Sequence, residues 1–558
     1  MKNTSIHLFA LSLLALLSCQ QSTNKKLDSL DILRGELLLC GTEQFGDVSF
    51  SLDCHYDSRE TFDLALSLLH SFEYKEAEKA FVKVADMDPE CAMAYWGIAM
   101  SSYHSLWGPP SIEVLEKGSK LIEIAQSLNK TETAQDYINA AEVIYTNWDS
   151  LNHTAREALY ADKMKELYMK NTDDNEAAVF YALSLISTAN PMDTTYANQK
   201  KAGALLEKLF KKNPNHPGIA HYIIHAYDYP KIAHLALESA RRYAEIAPSS
   251  SHAQHMPSHI FTRLGLWEEA INSDLNSASS AVCYQENNDP DLHTLYEIHA
   301  IAYLVYANLQ IGNNKIANEQ YEHIKTFKRT DINDGTTYPV AAIPSRIALE
   351  NKDWAKATKL QFLSNFDFPW QDFPWQKAII HFSRSLGFSN LGDIESASIE
   401  LDSLKSLRED LLILNSNLGD YKAQQVNIQI HSADAWIHLA KRENIKALKL
   451  MKLAAKMENE TSKHPVTPGE ILPADELLGD MLLTLNKSEE ALRIYENGLN
   501  THPNRFNGIY GAASAARDSG NKEKAILYFN QLIELCKNSN SDRPELIDAK
   551  LFIASNPT

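Results

Sequence analysis

The chain repeats itself along nearly its whole length, and that repetition restricts its fold more than any other feature. Ala, an aromatic and Pro recur at fixed separations in units of about 34 residues. SFEYKEAEKAFVKVADMDP carries Ala77, Phe81 and Pro89. A copy starting at 217 supplies Ala236 and Pro248, one at 251 supplies Gly265, Trp267 and Ala270, and one at 298 supplies Gly312 and Ala317. Weaker copies place Trp354 and Ala357, then Gly392 and Ala397, then Ala447. Near the C-terminus DELLGDMLLTLNKSEEALRIYENGLNTHP carries Leu478, Gly479, Ala491, Tyr495 and Pro503, and the last copy carries Gly520, Ala525 and Phe529. A small Ala lets the two helices of a unit approach closely, and the Pro stops the second helix. Such a unit cannot bury its apolar face alone, so it stacks on the next. The expected fold class is all-α, a solenoid of antiparallel helix pairs.

Position by position, the marks follow the tetratricopeptide pattern: a small residue near 15, Ala at 20, an aromatic at 24 and Pro at 32. The expected architecture is a tetratricopeptide-repeat superhelix over residues 57–540, with 541–558 as a C-terminal tail. Insertions break the register around 110–160, 186–198 and 280–297, as extra helices or loops that build a binding face. DFPWQDFPW, residues 367–375, repeats an aromatic-proline unit and reads as a linker or a lip over the groove.

The N-terminus reads MKNTSIHLFALSLLALLSCQQ. Lys2 supplies a charged start, and Ile6 to Leu17 form an apolar run too short for the roughly twenty residues of a spanning helix. It ends in Leu16-Leu17-Ser18-Cys19, which resembles a bacterial lipobox. The expectation is a signal peptide over 1–18, lipidation at Cys19 and a polar tether within 19–56, with an ordinary secretory signal as the alternative. Gln20 favours the outer membrane, periplasmic or surface-exposed. The lipid anchor is then the chain's only membrane contact.

The net charge of −19, from 72 acidic against 53 basic side chains, argues against a nucleic-acid partner, which needs a basic footprint. Among the six cysteines, Cys54 precedes the first repeat and Cys91 opens the second, so Cys54–Cys91 is the preferred disulfide, with Cys40–Cys54 as the alternative. No CxxCH or paired CxxC points to haem or a zinc–thiolate site.

Histidines carry the chemistry. In this repeat the first helix of each unit lines the concave groove through positions 2, 5, 9, 12 and 13. The copy at 217 puts His221, His225, Asp228 and Tyr229 there. The copy at 251 puts His252, His255, His259 and Arg263 there, and the copy at 298 puts His299. His221/His225 and His255/His259 are i, i+4 pairs on one helix face. Two such pairs can set four nitrogens around one ion, a divalent zinc, copper, iron or nickel. Asp228 and Glu297 are candidates to complete a mixed shell. Pro257, between His255 and His259, means that the helix either starts late or is kinked. Trp96 and His104 fall on groove positions of the second copy, Trp96 as a pocket floor or as core. Glu476 is placed to face the histidines across the channel.

Three functions follow from these residues. The first is a groove that binds a protein, peptide or small-molecule ligand through its histidines. The second is a metal-dependent enzyme or metal carrier, with hydrolysis by a metal-activated water as conceivable chemistry. The third is an assembly scaffold in which the histidines are structural. Whether the chain is an enzyme stays open at this point.

The segments DPECAMAYWGIAM, HPGIAHYIIHAYD, HAQHMPSHIFTRLGLWEEAI, HAIAYLVYANLQ and PVTPGEILPADELLGDML resemble, in order, those of a bacterial family of long tetratricopeptide-repeat proteins. Its histidine motifs match His221, His225, His255, His259 and His299, and Cys54 and Cys91 fall on its motifs. Ile301 and Ala302 stand where its members carry an acidic residue. The resemblance implies a fold and a site, not a reaction.

Overall fold

A computed structural model of the protein describes residues 24–39, 41, 44–50, 54–106, 108–191, 193–288, 291–330, 332–363, 368–414, 417–461 and 467–556. The signal segment, Cys19, Cys40 and part of DFPWQDFPW lie outside the described residues. Within them, 25 α-helices succeed one another, and the strands are one parallel pair, Leu292–His293 against Arg329–Thr330. The fold is an all-α tetratricopeptide-repeat superhelix.

The repeat marks act through packing. Helix Tyr74–Met87 buries Ala77, Ala80, Phe81, Val84 and Ala85, one stripe at helical spacing. The Phe81 ring lies so close to Gly97 of helix Ala92–Ser102 that a Cβ there would come within 2.3 Å of it. Tyr495 is wedged in the same way between Gly479 and Gly511. The aromatic of one unit therefore needs a residue without a side chain opposite it.

Between the two helices of a unit the chain turns through one left-handed residue: Phe72, Gly265, Gly312, Lys352, Gly392, Arg442, Asn486 and Gly520. The step from Asn486 to Gly520 is 34 residues, but Gly312, Lys352 and Gly392 are 40 apart, because helices Asn314–Ile324 and Asp334–Glu350, and likewise Trp354–Ala357 and Pro374–Leu391, stand further apart along the chain than Ser488–Thr501 and Phe506–Asp518. The insertion at 110–160 holds helices Ile112–Leu128 and Glu132–Tyr145. Helix Pro544–Ser555, in the segment set apart as a tail, packs on helix Lys522–Leu535 and buries Leu546 and Ala549.

The superhelix closes on itself, so its concave side is filled rather than open. Trp267 Nε1 donates to the Asn504 carbonyl at 2.7 Å, and Asn504 Nδ2 donates to the Gly265 carbonyl at 3.2 Å. Arg505, fully buried, donates to Glu476 at 2.6 and 2.9 Å, to Glu350 at 2.8 Å and to the Tyr306 hydroxyl at 2.7 Å. Cys54 is bonded to Cys91, with Cα atoms 4.9 Å apart. Cys283 is also disulfide-bonded, and Cys536 is a buried free thiol. Among the described residues no helix is long and apolar enough to cross a membrane.

Candidate metal centre

Three helices supply the six histidines: Pro217–Tyr227, Ser251–Leu264 and Leu295–Gln310, here the first, second and third histidine helices. The first opens on Pro217, which presets the helical φ, under a cap in which His216 Nδ1 accepts from the Ile219 amide. The second is capped by Ser250, whose hydroxyl accepts from the Ala253 amide and donates to Glu73 at 2.7 Å. Pro257 sits inside this helix, which runs on to the left-handed Gly265. The late start considered from sequence does not occur.

The four histidines expected around one ion do not converge on one point. The structure forms two groups of three. His221 Nε2 lies 3.0 Å from His252 Nε2 and 3.0 Å from His225 Nε2. His255 Nε2 lies 2.9 Å from His259 Nε2, and the His299 ring stands 4.5 Å from that of His255. In each trio, one nitrogen per ring falls within 4.8 Å of the other two. The reason is helical phase: His252 and His255 are three residues apart on the second helix, so His252 meets the first helix while His255 and His259 meet the third.

Outer partners fix the tautomers. His221 Nδ1 donates to the His70 carbonyl at 2.7 Å, which leaves its Nε2 a bare lone pair. His255 Nδ1 faces Asp274 at 2.7 Å, and His259 Nδ1 faces Asp228 at 2.8 Å. A buried ring nitrogen with a carboxylate or carbonyl behind it and its other nitrogen aimed inward is the usual arrangement of a metal-ligating histidine. His299 Nδ1 is buried without a hydrogen-bond partner.

Five of the six rings are at most 7% exposed, and only His225 is partly open. Burial pushes His225 and His255 down to about 3 and His259 to about 4, and holds His221, His252 and His299 well below the usual imidazole range. Burial alone would raise Asp228, but Arg263 and His259 overcome it and hold its carboxyl low. Burial drives Asp274 well above the carboxylate range. Aromatic rings enclose the trios: Phe72 against His221 at 4.4 Å, Tyr243 stacked on His221 at 5.1 Å, and Tyr303 stacked on His259 at 4.8 Å.

The other expected residues stand outside the trios. Asp228 is no ligand; it accepts from His259 and from Arg263 Nε at 3.0 Å. Arg263 does not reach a groove ligand, because its other nitrogens donate to the Thr467 carbonyl at 2.7 Å and to the Pro468 carbonyl. The Tyr229 hydroxyl accepts from Gln199. Glu297 turns away toward His293 at 2.9 Å and His323 at 3.4 Å. Glu476 is claimed by Arg505 rather than facing the histidines. Trp96 is core, 1% exposed among Phe50, Tyr137 and Phe180. His104 is exposed and stacks on Tyr74 at 4.0 Å, the outer end of a column of rings that continues through Phe72 to His225.

A third cluster, His70, Glu176 and His216, was not foreseen from sequence. Glu176 accepts from His70 Nε2 at 2.8 Å and from His216 Nε2 at 2.7 Å, while the other nitrogen of each ring meets Tyr222 or Ile219. Its donors and acceptors are matched, and it braces His70, whose carbonyl orients His221. Single residues such as His70, Asp274 and Tyr303 carry no motif, so only the fold brings them to the site.

A tetratricopeptide-repeat family profile matches residues 508–539. No curated protein matches the chain. Among solved structures, the chain is similar to the APC/C hetero-tetramer Cut9–Hcn1, at 12% identity over 88% of this chain and 90% of that one, with a TM-score of 0.31. It is also similar to the human IFIT1 dimer with m7Gppp-AAAA, at 11% identity over 87% and 96%, with a TM-score of 0.37. The fold and the site together define a tetratricopeptide-repeat solenoid with a buried polyhistidine centre.

Proposed function

We propose that this protein is an exported, lipid-anchored metalloprotein of the bacterial outer membrane, whose six inward histidines hold transition-metal ions in two three-imidazole sites. One observation carries the reading. His255 and His259 each set Nδ1 against a buried carboxyl group, and their Nε2 atoms face one another across 2.9 Å in the buried interior. Two lone pairs at that distance repel unless a proton or a metal ion lies between them. A single imidazole proton can fill that gap as an N–H···N hydrogen bond, and a metal ion bound there would take its place. Three imidazoles with a position left open suit zinc, copper, nickel or iron.

Export is supported by the apolar run ending at Cys19 and by the disulfides at Cys54–Cys91 and Cys283, since such bonds persist in oxidising compartments. The histidines are sealed from a peptide, so a protein partner would meet the outer faces of the solenoid, as repeat scaffolds allow. A small polar ligand would have a separate, narrow cleft lined by Tyr338, Trp375, Tyr421, Glu458 and Glu470.

The test is elemental analysis of the mature chain, purified without a histidine tag, beside the double variant His221→Ala/His225→Ala. Bound metal that falls in the variant is the expected result. Absence of metal from both, even after reloading, would remove the reading.

A further inference from the structure

The narrow cleft away from the histidines is walled by rings and by hydrogen-bond acceptors. Helix Asp334–Glu350 supplies Tyr338, helix Pro374–Leu391 supplies Trp375, and helix Asn417–Ala440 supplies Tyr421 and Gln429. Helix Asn444–Asn459 supplies Glu458, and the approach to helix Ala474–Thr484 supplies Glu470. The three rings are each at most 5% exposed, and Tyr338 stacks on Trp375 at 5.2 Å. The cavity measures about 40 Å³, room for roughly three waters.

Three oxygens on these walls stand unengaged. Glu458 Oε1 accepts from the Ala474 amide at 2.6 Å, and among the described residues no hydrogen bond engages its Oε2. Glu470 Oε2 meets His502 Nε2 at 2.7 Å, which leaves Oε1. Gln429 Oε1 is buried without a hydrogen-bond partner. The rim carbonyls are already taken, that of Gly469 by Arg346 at 2.6 Å and that of Thr467 by Arg263 at 2.7 Å. Burial, and then the charges of Glu470, Asp475 and Glu476, push the Glu458 carboxyl well above the usual carboxylate range, so it holds a proton. Burial also opposes the Glu470 charge, but His502 overcomes it and holds that carboxyl at about 2.

These walls narrow the ligand. An anion meets the Glu470 charge. A calcium ion wants about six to eight oxygens, and much of this wall is aromatic. A primary ammonium brings three N–H donors and no acceptor, and ring faces attract a cation. The chain itself sets an ammonium on one of these rings: Lys422 Nζ lies 5.4 Å from the Trp375 centroid, and Lys422 is not a wall of the cleft. A quaternary ammonium has no N–H to offer and leaves the oxygens unpaired.

Resting on the small-ligand reading of this cleft, and independently of the histidine trios, we infer that it binds the primary ammonium group of a small alkylamine. Glu458, Glu470 and Gln429 accept its three N–H bonds, and Tyr338, Trp375 and Tyr421 enclose its stem. The ammonium keeps its own protons, and Glu458 gives its proton to the solvent as the second charge pairs.

The experiment titrates the full mature chain calorimetrically with n-butylammonium chloride near neutral pH, in two buffers of different ionisation enthalpy. The expected result is one amine bound per chain with close to one proton released. Tetramethylammonium, which has the charge but no N–H, should bind at least about tenfold more weakly. Glu458→Gln and Glu470→Gln should each weaken the amine by about 10–100-fold, and Glu458→Gln should also abolish the proton release. If either variant unfolds, the proton count and the tetramethylammonium comparison on the unaltered chain decide. Equal binding of tetramethylammonium, binding without proton release, or calcium bound in place of the amine overturns the ammonium inference but leaves the cleft as a ligand site. Failure to bind either the amine or calcium overturns the small-ligand reading as well.

Discussion

Asp228 follows the first histidine helix, yet its two oxygens serve the second: one accepts from His259, the other from Arg263. Its charge fixes which nitrogen of His259 carries the proton, and so which one is free inside. Asp228→Asn keeps the shape but weakens that control. Metal affinity of the second trio should fall by about 10–100-fold, while the first trio keeps its own. Competition against a graded chelator measures this, and an unchanged affinity would show that Asp228 does not position His259. The sequence placed Asp228 near the histidines by its position in the repeat, but not on their outer side. Whether a carboxylate reaches a metal or the back of a ring depends on a shift of a few ångströms between two helices.

The second histidine helix is the element on which both trios depend. Its N-terminus is held from 177 residues away, by Glu73 accepting from Ser250. Burial raises the Glu73 carboxyl to about 7, from 4.5. The sign follows from proton binding: below 4.5 both folded and unfolded states are protonated and Glu73 costs nothing. Between 4.5 and about 7 the unfolded chain loses its proton first, so stability falls as pH rises through that window. Glu73→Gln keeps an acceptor for Ser250 and does not titrate. Its melting temperature should gain on the wild type as pH goes from about 5 to about 8. A gap that stays flat over this range would mean that Glu73 is ionised in the fold. The helix itself was legible from its 3.6-residue spacing, with Pro257 as the ambiguity. Packing decided that point: the helix is buried on all sides over nearly its whole length, and these tertiary contacts outweigh one missing hydrogen bond.

Arg505 ties the whole molecule together. It joins elements 29 to 199 residues apart in sequence and compensates two buried carboxylates, Glu350 and Glu476. Arg505→Ala leaves those charges without a partner, at a cost of about 3–5 kcal/mol. Urea unfolding measures the loss, and hydrogen exchange should quicken at the contacts between Gly265, Trp267 and Asn504. A change within about 0.5 kcal/mol would show that the closure does not depend on this residue. Closure also explains why an open histidine-lined groove, read from single repeats, becomes a sealed interior. Each repeat does present its first helix inward, but the 467–468 carbonyls and the 504–506 segment come round to cover that face.

The sequence by itself determined the helix pairs, the turns between them and the order of the histidines along three inward helices. These depend on contacts a few residues apart: the helical period, an aromatic set against a missing side chain, and a stop at Pro. Tertiary structure alone decided that six histidines divide into two trios, that carboxylates stand behind the rings rather than among them, and that the concave side is closed. Those outcomes depend on helix offsets of a few ångströms and on contacts between residues up to 239 positions apart. No local pattern encodes them, because each is set by how the whole superhelix turns back on itself.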